Sequence, residues 1–436
     1  MSGDGQSKLF ILEFEGISIQ GNKDKDIKKY SFKNKVSIIK AKQINFNKEI
    51  NILLLVFILI LLPSKVSLLS DHYIKMKFNK VGYNQILSDE YRGMLPSKII
   101  KGDEILFMNK NKIVFIDSIN TEIILEFNYY LTNFSFMFSN LTTISYIYLY
   151  YMFGKNSNMS YMFYNCSNLS TFSYATYKYD NSIREMKGMF FNCLSLKSFY
   201  FRNLNTYYNE YYDINISYMF YNCQNLNSIT FDSNNLYYIS DMKAMFYNCF
   251  SLTYIDLKRI KIRNYIDISY AFYNCKKLTS FGHTEFSAKD IRYMFYNCNS
   301  LSSIDLSKFN TSSYYLNMSN LFYNCNKLSK INGNFAKFYI SDVREMFYNC
   351  TSLEVVDFHV YFMTTNINMS KMFYQCDNIK IISFKNQANY YYPSDLSSIF
   401  YNCSSLGSLY FSNFRTNYLL DISYMFYNCK NLSFFI

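Results

Sequence analysis

From residue 131 onward, apolar and polar positions follow one phrase, repeated, with two rhythms inside it. In one copy the apolar residues are Met242, Met245, Phe246 and Cys249. Spacings of three and four put all four on one helical face, which predicts an amphipathic helix of about two turns. Tyr247 falls between them and points away from that face. Leu252 then opens a second rhythm, with Ile255 and Leu257 flanking Asp256. Alternation with period two predicts a short half-buried strand. Eight places before the Cys, ten of eleven copies carry Asp or Asn, and the eleventh carries Glu185. Short acceptors of this kind bind the free N–H groups of a helix start, so the position reads as an N-cap.

The phrase is anchored by all eleven cysteines, Cys166 to Cys429, at gaps of 23 to 30 residues. A fixed period in that range is the signature of a solenoid. An upstream twelfth copy lies in register, with Asn133 as cap, Phe134, Met137 and Phe138 on the face, and Leu141 in place of Cys. One copy alone buries too little to offset the ordering of its backbone, so neighbours must stack. Strands stack about 4.8 Å apart and packed helices about 8–10 Å apart, which places the helices on the longer, outer arc. The expectation is an α/β fold: a curved leucine-rich-repeat-type solenoid of about 12 units. Each unit has one short strand and one short helix, and a β cap precedes the first.

The run Cys249-Phe-Ser-Leu-Thr-Tyr-Ile-Asp-Leu257, preceded by Phe246 on the apolar face, closely resembles the BspA-like leucine-rich repeats of microbial surface proteins. The resemblance covers residues 133–436. It implies a secreted or surface-bound protein that binds macromolecules, and leaves the ligand open. Ahead of the repeats, residues 71–130 read as capping strands at Tyr73–Phe78, Lys112–Ile116 and Glu122–Phe127. No polar cap follows the last copy before Ile436, so that edge is expected either to pair with another chain or to continue in a longer product.

Composition narrows the class. Half of the residues are hydrophobic and a fifth aromatic, without Trp, which excludes a disordered chain. The net charge of +12 is spread thinly over the repeats, with a Lys-rich excess in residues 1–49. A nucleic-acid footprint needs clustering, so no nucleic-acid partner is expected. The basic leader, 1–49, is expected to be disordered. Residues 50–70 contain Ile52–Leu62, eleven unbroken apolar residues. That makes about 16 Å of helix, which fits a signal sequence, or an uncleaved anchor that would tie the chain to a membrane.

Candidate chemistry is sparse. Eleven thiols cannot all pair within one chain, and equivalent positions on stacked units project parallel Cβ vectors. The column therefore reads as buried thiols packed as small hydrophobes. Metal spacings such as CxxC are missing, and His72, His283 and His359 assemble no catalytic arrangement, so neither cofactor nor enzyme activity is expected. The residues left to act are those pointing outward from the strands: Tyr200, Tyr254, Asp256, Asp305, Asp357 and Tyr410. Solenoids offer such extended concave faces for binding, and Tyr supplies contact area at low entropy cost. The leading reading is a cell-surface or secreted adhesion or interaction protein with a protein or glycan partner. The alternative is an intracellular leucine-rich-repeat scaffold, which the many unpaired thiols would suit.

Overall fold

The computed structural model describes residues 10–14, 17–21, 71–106, 112–175, 183–202, 213–232, 236–262, 265–282, 286–307, 309–310, 315–333, 335, 338–359, 362–384, 390–411, 414–415 and 420–435. The chain divides into two compact units, Met1–Leu68 and Leu69–Ile436. In the first, Phe10–Phe14 pairs antiparallel with Ile17–Gly21. The apolar stretch at 50–70, like His283, lies outside the described residues.

Every regular element among the described residues is a strand. The helix expected in each repeat is absent, and the α/β assignment is corrected to a β-solenoid. The segment from Asp241 to Cys249 shows why. Ala244 and Asn248 have φ of 50° and 59°, in the left-handed region. Across the repeats, the position five before each Cys has φ of 50–59°, and the position one before it has φ of 56–61°. Two left-handed residues in eight cannot continue a right-handed helix. Asn tolerates this conformation better than other non-Gly residues, and Asn stands one place before the Cys in ten of eleven copies.

The alternation sends successive N–H groups in different directions, and all of them find partners. Within the coil, Met245 donates to Met242 O (3.3 Å), Tyr247 to Ala244 O (3.3 Å) and Cys249 to Phe246 O (3.1 Å). These are three-residue turn bonds, where a helix would reach back four. Across to the next coil, Met242 donates to Asp267 O (3.3 Å), Ala244 to Ser269 O (2.9 Å), Phe246 to Ala271 O (2.8 Å) and Asn248 to Tyr273 O (2.8 Å). The remaining donor, Lys243 N–H, goes to Asp241 Oδ1 at 2.9 Å. The residue read as an N-cap does cap an N–H two places on, but in a turn.

The turn coils are thus bonded to one another as strands are. The larger helix spacing expected to place one side on a longer arc does not exist, so unequal spacing of the two sides does not curve the wall. Side chains stack in columns at this spacing. Phe220, Phe246 and Phe272 have ring centroids 5.6 and 5.3 Å apart and near-parallel planes. One residue on, Tyr221, Tyr247 and Tyr273 stack at 4.5 and 4.4 Å. The Asn side chains form an amide ladder, with Asn274 Nδ2 donating to Asn248 Oδ1 and Asn297 Nδ2 to Asn274 Oδ1, each at 2.8 Å.

Two parallel ladders complete each coil. The expected strand wall is present, with Ile255 opposite Phe281, Ile304 opposite Ile331, and Ile382 opposite Leu409. A second ladder ends on the capping residues, pairing Asn215 with Asp241, Asn317 with Asp342 and Asn368 with Asp395. Its apolar anchors, among them Ile214, Ile239 and Ile340, are buried one or two places before the cap. Between the walls, the Met, Phe, Cys and Leu positions form one continuous core.

Ahead of the repeats, Tyr73–Phe78 pairs antiparallel with Ile144–Tyr150 of the first copy and with Ile123–Glu126. Ser88 N–H donates to Met137 O at 2.9 Å, occupying a carbonyl of the first turn coil. Ser139 Oγ and Asn140 Nδ2 donate to the Glu90 carboxylate at 2.8 and 3.2 Å.

All eleven cysteines are free, and ten are buried. Each thiol turns toward the preceding coil and donates to its Phe carbonyl, as Cys249 Sγ does to Phe220 O (3.2 Å) and Cys275 Sγ to Phe246 O (3.1 Å). Burial pushes their pKa values up, Cys429 to about 11. Thiolate is the reactive form, so the ten buried thiols are inert while folded.

Three outcomes follow from this arrangement. Replacing Asn274 by Ala retains the left-handed demand and loses the amide ladder, whereas Gly relieves the demand. Urea unfolding should find Asn274→Ala less stable than Asn274→Gly by about 1 kcal/mol. Burial, then the Asp267 charge, raises the Asp241 pKa above its ordinary value. A carboxyl with a raised folded pKa favours the fold while protonated and loses that contribution as pH rises through the folded pKa. Asp241→Asn, which keeps the acceptor as Asn215 does, should therefore raise the melting temperature at neutral pH, with the gain shrinking as pH falls through that pKa. Near pH 8 a maleimide should modify no thiol of the folded chain other than the half-buried Cys429, and all eleven after denaturation, by mass spectrometry.

Candidate functional site

The strand wall carries outward side chains five and seven places after each Cys, because period-two alternation sends the sixth and eighth inward. All six candidates stand on it. Tyr200, Tyr254 and Tyr410 are 46 %, 47 % and 36 % exposed, Asp357 is exposed, and Asp256 and Asp305 are half-buried. In register, Tyr200 faces Thr230, Asp256 faces Gly282, Asp305 faces Asn332, and Ser383 lies between Asp357 and Tyr410. Five stand seven places after the Cys and Tyr254 five after it, spread along the strand wall over four separate ladders, and they do not converge on one centre.

Two of the acids are partly engaged by their own loops. Asp256 Oδ1 accepts the Lys258 N–H at 3.0 Å, and its Oδ2 meets Lys258 Nζ at 3.3 Å. Asp305 Oδ1 accepts the Ser307 N–H at 2.9 Å. Gly282 makes room for a local cluster: a Cβ there would lie 2.8 Å from Asp256 Oδ1 and 3.0 Å from the Tyr254 hydroxyl. Phenol and carboxylate thus lean together over bare backbone, the most compact polar feature among the six.

The wall also holds residues that sequence reasoning passed over. Tyr146, Tyr148 and Tyr150 alternate with the inward Ile147 and Leu149 on the first repeat strand. Tyr73, on the antiparallel neighbour, stacks on Tyr150 with centroids 4.6 Å apart, and Tyr151 lies 4.3 Å from Tyr150. Lys75 Nζ sits 5.6 Å from the Tyr73 ring and 2.9 Å from Glu122, and Lys77 Nζ lies 5.9 Å over Tyr146. Burial, reinforced by Tyr148 and Tyr150, raises the Tyr73 pKa to about 12, so the phenol stays a neutral donor. The available signal was the Tyr-Ile-Tyr-Leu-Tyr alternation, read only for its apolar members.

At the other end of the wall, Val355 pairs with Ile381, Ile381 with Ser408 and Ser408 with Phe434, one row five places after the Cys. Val355, Ile381 and Phe434 are 55 %, 40 % and 44 % exposed, and Phe434 meets Tyr410 edge-on at 5.7 Å. Glu354 and Lys380 pair at 2.8 Å beside it. Of the histidines, His72 bonds through Nδ1 to Tyr151 O at 2.7 Å and stands 4.2 Å from the Tyr130 ring. His359 is half-buried two residues past the strand Val355–Asp357. Among the described residues no group of three or more His, Cys, Asp or Glu is placed to hold a metal ion. What the wall offers is contact area: phenol rings, isolated carboxylates and an apolar row.

Comparison with known proteins gives two family matches. The BspA type Leucine rich repeat region matches residues 209–317 in six copies. The family described as Mycoplasma protein of unknown function, DUF285, matches residues 109–206, 283–385 and 367–434, more than half of the chain. No curated protein matches the chain in sequence. Among solved structures, a chain of the Drosophila Toll–Spatzle complex is 17 % identical, with a TM-score of 0.32, over 63 % of this chain and 37 % of that one. An internalin from Listeria monocytogenes is 15 % identical, with a TM-score of 0.23, over 66 % and 79 %. A leucine-rich-repeat protein of Leptospira interrogans is 13 % identical, with a TM-score of 0.26, over 62 % and 72 %. The chain therefore belongs to the family described as Mycoplasma protein of unknown function, DUF285, and is built of BspA-type leucine-rich repeats.

Proposed function

We propose that the chain is a surface-displayed interaction protein that binds a macromolecular ligand, protein or glycan, along its strand wall. The observation that carries this reading is the uncovered face of the parallel ladders. Parallel sheets are ordinarily covered on both faces, yet this one presents Tyr200, Tyr254, Val355, Ile381 and Tyr410 outward, each more than a third exposed. Aromatic and apolar groups of this kind dominate contact energies at interfaces, with polar neighbours around them. Asp256, Asp305 and Asp357 would add charge selectivity between the rings, and Tyr146, Tyr148 and Tyr73 would extend the surface over the cap.

The turn wall is the less suitable surface, since its Asn and Tyr side chains are already engaged with their counterparts in adjacent coils. Display outside the cell fits the BspA-type repeats, and the apolar stretch at 50–70 would supply the signal or anchor.

Beads coated with the full chain should adhere to cultured cells. The triple variant Tyr200→Ser, Tyr254→Ser, Tyr410→Ser should lose at least tenfold of that adherence while keeping its melting temperature, because all three rings stand outside the core. A membrane-impermeant biotin reagent should label the chain on intact producing cells. Undiminished adherence of the triple variant would overturn the strand wall as the binding face, and labelling only after lysis would overturn surface display.

A further inference from the structure

The tyrosine column of the turn wall is more than packing. From Tyr221 to Tyr427, nine successive copies carry Tyr two places before the Cys. Successive centroids lie 4.4–4.7 Å apart, with planes 0–12° from parallel. The rings are half-buried, and that of Tyr427 is exposed, so one edge of the column meets solvent. Burial raises the hydroxyl pKa of members such as Tyr221, Tyr247 and Tyr273, which keeps them as phenols. The column also contains its own control. Phe191 occupies the same position one coil earlier and stacks on Tyr221 at 4.4 Å. Tyr164, beyond it, has no column tyrosine on either side, since it meets Phe191 on one and the first copy places Ser139 on the other, and Tyr161 of its own coil stands edge-on at 6.1 Å rather than stacked.

We propose that this column is a site of oxidative modification, at which a peroxide, through a haem peroxidase, couples neighbouring tyrosines into dityrosine and sutures successive repeats. Two phenols each lose one electron and the hydroxyl proton, giving two phenoxyl radicals. Unpaired spin at the ring carbons ortho to oxygen lets the radicals join through a carbon–carbon bond. The two ring hydrogens displaced by that bond move to the oxygens and restore both phenols. One hydrogen peroxide takes up the two electrons and two protons and leaves as two waters. Coupling needs two radicals side by side, and the cross-coil hydrogen bonds hold each of the seven interior tyrosines next to two others. The cysteine column cannot do this, since ten of its eleven thiols are buried and each is turned onto a backbone carbonyl.

The test treats the full chain, dilute enough to suppress contact between molecules, with hydrogen peroxide and a haem peroxidase, and maps cross-links by tandem mass spectrometry after proteolysis. The expected products are intrachain links between column neighbours, such as Tyr247 to Tyr273 and Tyr323 to Tyr348, with Tyr164 outside them. Tyr273→Phe should abolish the links to Tyr247 and Tyr296 and leave Tyr323 to Tyr348 at its original yield. Phe191 shows that this substitution packs. Prior unfolding in urea should reduce the preference for column neighbours at least tenfold. The proposal is overturned by coupling that follows exposure, led by Tyr83 (79 %) and Tyr129 (67 %). Coupling of Tyr164 as often as Tyr247, links only between chains, or no dityrosine at all would overturn it equally.

Discussion

The structure depends on one backbone device: a left-handed residue every fourth position in the turn coil. With φ positive at Ala244 and again at Asn248, alternate N–H groups turn toward the next coil, and those between them close turns within their own. The cross-coil backbone bonds of the turn segments all run the same way, each turn coil donating to its successor. Each left-handed non-Gly residue costs about 1–2 kcal/mol, and each hydrogen bond returns about 0.5–1.5 kcal/mol net. Two such residues and four such bonds per coil leave terms of similar size. Side-chain burial in the Met, Phe and Cys columns therefore decides whether a coil forms, and a coil without neighbours has nothing to donate to.

This device explains where sequence reasoning succeeded and where it failed. The period, the strand wall and the buried face at Met242, Met245, Phe246 and Cys249 were legible, because burial depends on which side chains share a side, and both geometries put these four inside. A helix and a chain of three-residue turns with left-handed links thus leave nearly the same apolar pattern. The discriminating signal was polar: Asn before the Cys in ten of eleven copies, a residue that favours a positive φ. Asp241 misled in the same way, since a carboxylate accepting the N–H two places on serves a turn as well as a helix start. The second ladder went unread because register shifts, as between Ile214 and Asn215, let its apolar anchor fall one or two places before the cap.

The candidate site was legible as a face and illegible as a centre. Alternation identifies which residues of a strand point outward, and all six candidates do. It does not say which are already engaged, and the loop bonds of Asp256 and Asp305 depend on turns after the strand that vary from copy to copy. The tyrosines at Tyr146, Tyr148 and Tyr150 were equally visible, but their copy lacks the Cys that marked the others.

The two walls divide the work between them. On the turn wall, the side chain at a given position meets its counterpart one coil away, so a favourable residue is favourable in every coil, and repetition of Asn, Phe and Tyr is the physical consequence. On the strand wall the outward position makes no such demand, and the row seven places after the Cys, from Cys193 to Cys403, runs through Tyr200, Thr230, Asp256, Gly282, Asp305, Asn332, Asp357, Ser383 and Tyr410 without pattern. Variation at this position, beside turn columns of Asn, Phe and Tyr that are so uniform, means that stacking does not specify it. A side chain free of the requirements of stacking is available to meet those of a ligand.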